Sequence, residues 1–280
     1  CPRGARARRY TLARMALRSA LAHRNLLYLL SLKELRTRYK KSILGWAWSL
    51  LNPLTQMVIF SIIFLKVFIQ PAPVGHPSDL KNFPLFFLCG LLPFNFFSIS
   101  VGVSMGNVQG GAGLIKKVQF PHEHLVFSVV IAQFVTMLIE FVVLSIALII
   151  AGNMVLQWIP VLLLILLMLA MFTTGLALML SAANVFFHDV NYLWGIVSQL
   201  LFYSSPIIYD ATNPKIPKTL RMISAHGPTG SFITGVRNVM YDLTMPSWRN
   251  FAAMAVYATV SFTFGTFAFT KLSPRFAEEM

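Results

Sequence analysis

Charge is what this chain has least of. Only 11% of its 280 residues are Asp, Glu, Lys or Arg, less than half the roughly 25% usual in a soluble domain. Acids are the scarcest, nine against 23 Lys and Arg, for a formal net charge of +14. With 56% hydrophobic residues and a mean hydropathy of +0.68, an ordinary cytosolic enzyme and a disordered chain are both excluded. Cysteine is nearly missing. Cys1 and Cys89 make neither a disulfide framework nor a metal set. No G-x-x-x-x-G-K-[ST] loop occurs. Gly110-Gly111-Ala112-Gly113 is glycine-rich, but Lys116 and Lys117 stand at the wrong spacing and no Ser or Thr follows them. The chain is therefore expected to bind no ATP, cofactor or metal itself. No internal repeat is visible, which argues against transporters built from inverted repeats. The first 20 residues lack the apolar core of a cleavable signal peptide.

What the chain has is apolar runs. They cover residues 49–69, 83–105, 125–151, 158–183, 192–204 and 250–270. A spanning helix needs about 20 mostly apolar residues, so six spans are expected, the fifth conspicuously short. Pro93, Gly90 and Gly102 interrupt the second run and imply a bend. Twelve basic residues lie before residue 49, opposed only by Glu34. With six spans both termini share a side, and 16 basic residues fall there against six opposite. That asymmetry places both termini in the cytoplasm and makes the basic flank a partner for anionic lipid, not for nucleic acid. The fold expected is an all-α integral membrane protein. Residues 1–48 form a basic cytoplasmic segment and residues 49–280 a six-helix transmembrane domain.

Around residues 31–41, Tyr28, Leu32, Leu35 and Tyr39 recur on one narrow stripe at 100° per residue, while Arg36, Arg38 and Lys40 take other faces. This predicts an amphipathic helix lying in the inner membrane interface, ended by Gly45. A plain basic flank is the simpler alternative. Two charges fall inside spans, Lys66 and Glu140. Counted outward they stand at about 25 and 22 Å, similar depths that permit a pair, although Lys66 could equally snorkel to the outer headgroups.

Three motifs carry a resemblance. The first runs Leu32-Lys-Glu-Leu-Arg-Thr-Arg-Tyr-Lys-Lys-Ser-Ile-Leu-Gly-Trp46-Ala-Trp48-Ser-Leu-Leu-Asn-Pro53. The second lies within residues 107–125 and contains Gly113-Leu-Ile-Lys-Lys-Val-Gln-Phe-Pro121-His-Glu123. The third is Asn184-Val-Phe-Phe-His-Asp189-Val-Asn-Tyr-Leu-Trp194, continuing to Ser205-Pro-Ile-Ile-Tyr209. In this order they resemble the ABC-2 type permeases that export polysaccharides: O-antigen, capsule, teichoic acid or galactan. The chain departs from that pattern at 226–230, where His-Gly-Pro-Thr-Gly replaces the family's frequent Asn-Pro.

The resemblance implies a half-transporter in the cytoplasmic membrane of a bacterium. It would be a homodimer joined by two nucleotide-binding subunits that hold ATP and Mg, with a lipid-linked glycan as substrate. It also implies that residues 205–248, too long for a simple loop and too polar to span, form a re-entrant outer gate containing Pro206, Phe232, Val236 and Arg237. Sugars stack on aromatic rings, and rings with a polar handle are the better channel candidates. These are Trp46, Trp48, Tyr192, Trp194, Tyr203 and Tyr209, all of which an interfacial aromatic belt would also explain. Leu114, Ile115, Val118 and Phe120 are apolar among Lys116, Lys117 and Glu123. They read as a short helix, stopped by Pro121, pressed into a groove on the ATPase. Two other functions are weighed beside glycan export. One is an ABC-2 exporter of a drug or lipid. The other is a membrane-embedded glycosyl- or acyltransferase using His188 and Asp189, which has no second acid motif to support it.

Overall fold

The computed structural model describes residues 24–39, 42, 45, 47–67, 73–111, 113, 121–210, 224 and 227–279. Among these the regular structure is helical throughout. In chain order the main helices are α1 (Arg24–Tyr39), α2 (Ala47–Ile62, extended by a wider turn over Ile63–Val67), α3 (Phe83–Gly110) and α4 (Glu123–Ile150). They continue with α5 (Ile159–Phe186), α6 (Val190–Ser204), α7 (Pro228–Arg237), α8 (Trp248–Leu272) and the short α9 (Phe276–Glu279).

Five stretches are long and apolar enough to cross a membrane: Ala47–Val67, Phe83–Gly110, Glu123–Ile150, Val155–Phe186 and Trp248–Arg275. The fifth expected run is α6, with 15 residues. It rises about 22 Å, short of a hydrocarbon core of about 30 Å. Its end is chemical. Pro206 follows Ser204 and Ser205, and a proline disfavours helix at the residue before it.

Helix α3 is the centre of the bundle. Asn82 caps it by accepting from the Leu85 N–H at 3.2 Å, and Pro84 occupies the first turn, where its missing N–H costs nothing. Phe86, Phe87, Leu91, Phe97, Val101, Met105 and Val108 are all buried. Helices α4, α5, α7, α2 and α6 pack around it. The closest crossing is between α5 and α8. A Cβ added at Gly175 would collide with the backbone at Ser261, and one added at Gly265 would collide with the backbone at Gly175. The two helices therefore meet backbone to backbone, as small residues allow in membrane bundles. The Ser261 hydroxyl donates across the interface to the Phe172 carbonyl at 2.8 Å.

Helix α1 exists as expected, but its buried face differs. Leu30 and Ser31 are turned inward and α1 packs on α4. Tyr28, on the expected stripe, is 67% exposed, while Leu32 and Leu35 are half-buried. Ser31 folds its hydroxyl back to the Leu27 carbonyl at 2.9 Å, leaving a small surface where α4 approaches. Gly45 has φ +50°, a left-handed turn before α2 that glycine makes without strain.

The described residues after α6 stay close to α3. Phe202 near the end of α6 meets Phe94 at 5.5 Å. Ser205 and Thr229 share a hydroxyl hydrogen bond of 2.8 Å. Phe232 of α7 packs on Phe172 at 5.5 Å, and Arg237 at the other end of α7 reaches Phe86. Since Phe86 lies near the start of α3 and Phe94 about 12 Å further along it, α7 climbs from the middle of the bundle to its end. There Tyr241 closes the structure. Its hydroxyl accepts from the Asn82 N–H at 3.1 Å and lies 2.8 Å from the carbonyls of both Pro73 and Leu80. The Asn153 side chain donates to the Tyr241 carbonyl at 2.9 Å.

Candidate functional site

Apolar side chains are exposed on α2, α4, α5, α6 and α8, and the face formed by α2 and α6 bears the exposed aromatics expected of a channel. Helix α2 exposes Trp48, Leu51, Val58, Ile59 and Ile62, and α6 exposes Tyr192, Leu193, Ile196, Leu200 and Tyr203. The two helices lean on α3 side by side, with Phe60 of α2 4.9 Å from Phe87 and 5.9 Å from Phe202 of α6. Three of the expected channel aromatics stand on this face: Trp48 (50% exposed), Tyr192 (76%) and Tyr203 (56%). Tyr209 is half-buried and donates its hydroxyl to the Ser204 carbonyl at 2.7 Å. Trp46 lies outside the described residues. Trp194 is a correction. It is buried, its ring is edge-on to Phe97 at 5.5 Å, and its Nε1–H donates to the Ser98 carbonyl at 3.1 Å. Its polar handle is spent on holding α6 to α3.

A cavity of about 290 Å³ lies between α2, α3 and α4, with Trp48, Asn52, Asn95, Phe96, Gln133 and Glu140 in its wall. A second cavity of about 440 Å³ continues from it, lined by Leu54, Met57, Leu88, Val143 and other apolar residues. Pro53 and Glu140 belong to both. This overturns the expected pairing of Glu140 with Lys66. Glu140 is level with Pro53, 13 residues or about 20 Å below Lys66, which is exposed at the far end of α2. Helix α2 runs at a different height against α4 than equal starting points would imply, with residues 48–57 of α2 and 133–150 of α4 lining the same two cavities.

The expected coupling residues Leu114, Ile115, Lys116, Lys117, Val118 and Phe120 lie outside the described residues. Their flanks do not. The Asn107 amide donates to the Leu125 carbonyl at 2.9 Å, tying the end of α3 to the start of α4. The Pro121 carbonyl accepts from the His124 N–H at 3.0 Å, and Glu123 stands in the first turn of α4, where the helix dipole favours an acid. The Asn184 amide donates to Gln109 at 3.4 Å and its oxygen accepts from the Asn191 N–H at 3.1 Å. The second motif and the start of the third therefore meet on one pole of the bundle. His188 and Asp189 are exposed there, and no group of three metal-capable side chains occurs among the described residues.

Phe276 was missed by sequence reasoning. It is fully buried, stacked on His122 at 6.1 Å and edge-on to Phe186 and Phe269 at 6.2 and 5.3 Å. Only its position as a lone aromatic in a charged tail hinted at this. The stacking desolvates His122 and lowers its pKa below the ordinary histidine value, against the opposing pull of Glu123. At the other pole the expected gate residues Pro206, Phe232, Val236 and Arg237 are all buried. They fasten residues 205–207 and 228–242 to α3 and leave no free surface of their own.

The ABC-2 type transporter family profile matches residues 25–241. The chain is 30% identical over 270 residues to an O-antigen export system permease protein of Myxococcus xanthus, covering 94% of this chain and 98% of that one. It is 29% identical over 255 residues to an O-antigen export system permease protein of Klebsiella pneumoniae, covering 91% and 94%. A polysialic acid transport protein of Escherichia coli matches over a shorter stretch, 36% identical across 85 residues, or 30% of this chain and 31% of that one. With five helices fit to cross a bilayer and a family match over most of its length, this chain belongs to the ABC-2 type transporter family.

Proposed function

We propose that this chain is the membrane subunit of an ATP-driven exporter that moves a lipid-linked cell-envelope glycan across a bacterial cytoplasmic membrane. The observation that carries this reading is the similarity to O-antigen export permeases across nearly the whole of both chains. Two copies work with two separate ATPase subunits, which bring ATP and Mg. The bare α2–α6 face supports a paired arrangement, since an exposed apolar surface with Trp48, Tyr192 and Tyr203 suits a second copy across a path for sugar. Residues 113–123 seat the ATPase. Both termini are cytoplasmic, α1 rests in the interface, and α6 with residues 205–248 makes the fifth crossing as a short helix followed by a re-entrant hairpin.

The test is genetic and biochemical together. A strain deleted for this chain should lose surface glycan and regain it when the chain returns. Purified chain alone should hydrolyse no ATP, and addition of its ATPase should bring turnover that the lipid-linked glycan stimulates. Normal surface glycan in the deletion strain would overturn the reading.

A further inference from the structure

We propose that Phe276 is a positioning residue for ATPase coupling: it braces residues 121–123, where the ATPase seat ends, against the ends of α5 and α8. The proposal rests on the reading above that residues 113–123 seat the ATPase, and adds to that seat a residue from the far end of the chain.

Phe276 opens α9 and is fully buried. Its neighbours Lys271, Pro274 and Arg275 are exposed. The chain leaves α8 through a tight turn, Ser273–Arg275, and returns one ring to the bundle. That ring meets three others from three separate segments. It stacks on His122, between Pro121 and α4, at 6.1 Å with 22° between the planes. It stands edge-on to Phe186, the last residue of α5, at 6.2 Å, and to Phe269, in the last turn of α8, at 5.3 Å. Stacked and edge-on rings at these separations attract one another, and full burial of a phenylalanine adds its hydrophobic gain. The His122 ring also hydrogen-bonds the Ser273 backbone, so the same turn grips it twice.

What is held is the turn that leads from the seat into α4. The Pro121 carbonyl accepts from the His124 N–H at 3.0 Å, and the His122 carbonyl from the Leu125 N–H at 3.1 Å. These bonds are local. They fix the shape of the turn, and the Phe276 ring adds its place against α5 and α8. A binding segment whose end is already fixed loses less conformational freedom when its partner arrives. That raises affinity with no new contact to the partner.

The location of the four rings separates bracing from general stability. Each lies at a helix end or within one turn of it. The middle of the bundle, around Phe87, Leu91 and Phe97 of α3, is filled by other residues. Loss of the Phe276 ring therefore loosens this pole and leaves the spanning helices packed.

The test titrates the full chain in lipid nanodiscs with its ATPase subunit. Phe276→Ala should weaken the apparent affinity for the ATPase about ten-fold, the equilibrium worth of one aromatic stack. Glycan-stimulated turnover at saturating ATPase, and the melting temperature of the bundle, should stay at the unmodified level. Phe276→Leu refills most of the space and should bring the affinity back to within about three-fold. His122→Ala should weaken affinity as Phe276→Ala does, and the double variant should lose no more than either, since both remove the same stack. Unchanged affinity in Phe276→Ala, additive losses in the double variant, or a fall in maximal turnover or melting temperature that matches the lost affinity would overturn the brace. Leu114→Asp in the same titration checks the seat itself and should abolish binding. If the unmodified chain binds its ATPase and Leu114→Asp does not, while Phe276→Ala binds normally, the brace alone falls. If Leu114→Asp binds normally, or the unmodified chain binds no ATPase, the seat reading falls and the brace with it.

Discussion

The guanidinium of Arg237 lies 3.6 Å from the centroid of the Phe86 ring. Its Nη2 donates to the Ile207 carbonyl at 3.1 Å, so one side chain binds α7 to α3 by its face and to the chain after α6 by its edge. A Cβ at Gly90 would come within 3.0 Å of that same nitrogen, which is why α3 has a glycine beneath it. The arrangement needs a planar, always-charged fork. Arg237→Gln is expected to cost about 2 kcal/mol, the worth of a buried charged hydrogen bond, and it also removes the cation–π attraction to Phe86. Arg237→Lys should recover only part. Thermal unfolding in detergent, followed by size-exclusion fluorescence, measures both.

Gly175 and Gly265 set the distance between α5 and α8. Gly175→Ala or Gly265→Ala must push two backbones apart and should cost at least the 1–3 kcal/mol typical of overpacking, about 1 kcal/mol at the lower end, seen as disappearance of the monodisperse peak. Gly195→Ala on α6, with no atom within 4 Å of the added carbon, should leave that peak intact. A tolerant Gly175→Ala would show that the two backbones can separate at little cost.

The aromatics of α6 should divide by exposure. Trp194→Phe removes the donor to Ser98 and should lower stability by about 1 kcal/mol with export preserved. Tyr203→Ala and Trp48→Ala should slow glycan export with melting temperature unchanged, because their rings stand on the bare face. Normal export in both would return them to an aromatic belt at the membrane interface.

The His122–Phe276 stack should depend on pH. Burial holds the folded pKa of His122 below its ordinary value of 6.5, so the folded state favours the neutral ring. The contribution is complete above pH 6.5 and is lost as pH falls through the folded value. Acidification below pH 6.5 should therefore free the C-terminal turn, read as faster trypsin cleavage after Arg275. His122→Phe keeps a stacking ring without a titrating group and should abolish that pH dependence.

Much of the fold is legible in the residues alone. Pro206 stops α6 wherever α6 packs, because the clash and the missing N–H are local. The five long helices follow from apolar runs of known length. The face of α1 is not legible in this way. Its stripe through Tyr28 and Leu32 is a property of the helix alone, whereas α4 approaches from the side of Leu30 and Ser31, the side a serine leaves open. Trp194 looks like Trp48 in the sequence, as both begin a span. Only the partner beside each separates a ring that bonds Ser98 from one left bare.

The chain by itself determined five of the six expected spans, the breaks between them, the charge asymmetry and the family motifs, since these depend on hydropathy, proline geometry and residue order. The tertiary structure decided which polar side chains meet. Glu140 faces Asn52 and Asn95 and not Lys66, because the relative height of two helices is set by how their surfaces interlock over their whole length. A depth counted along each helix separately carries no information about that register.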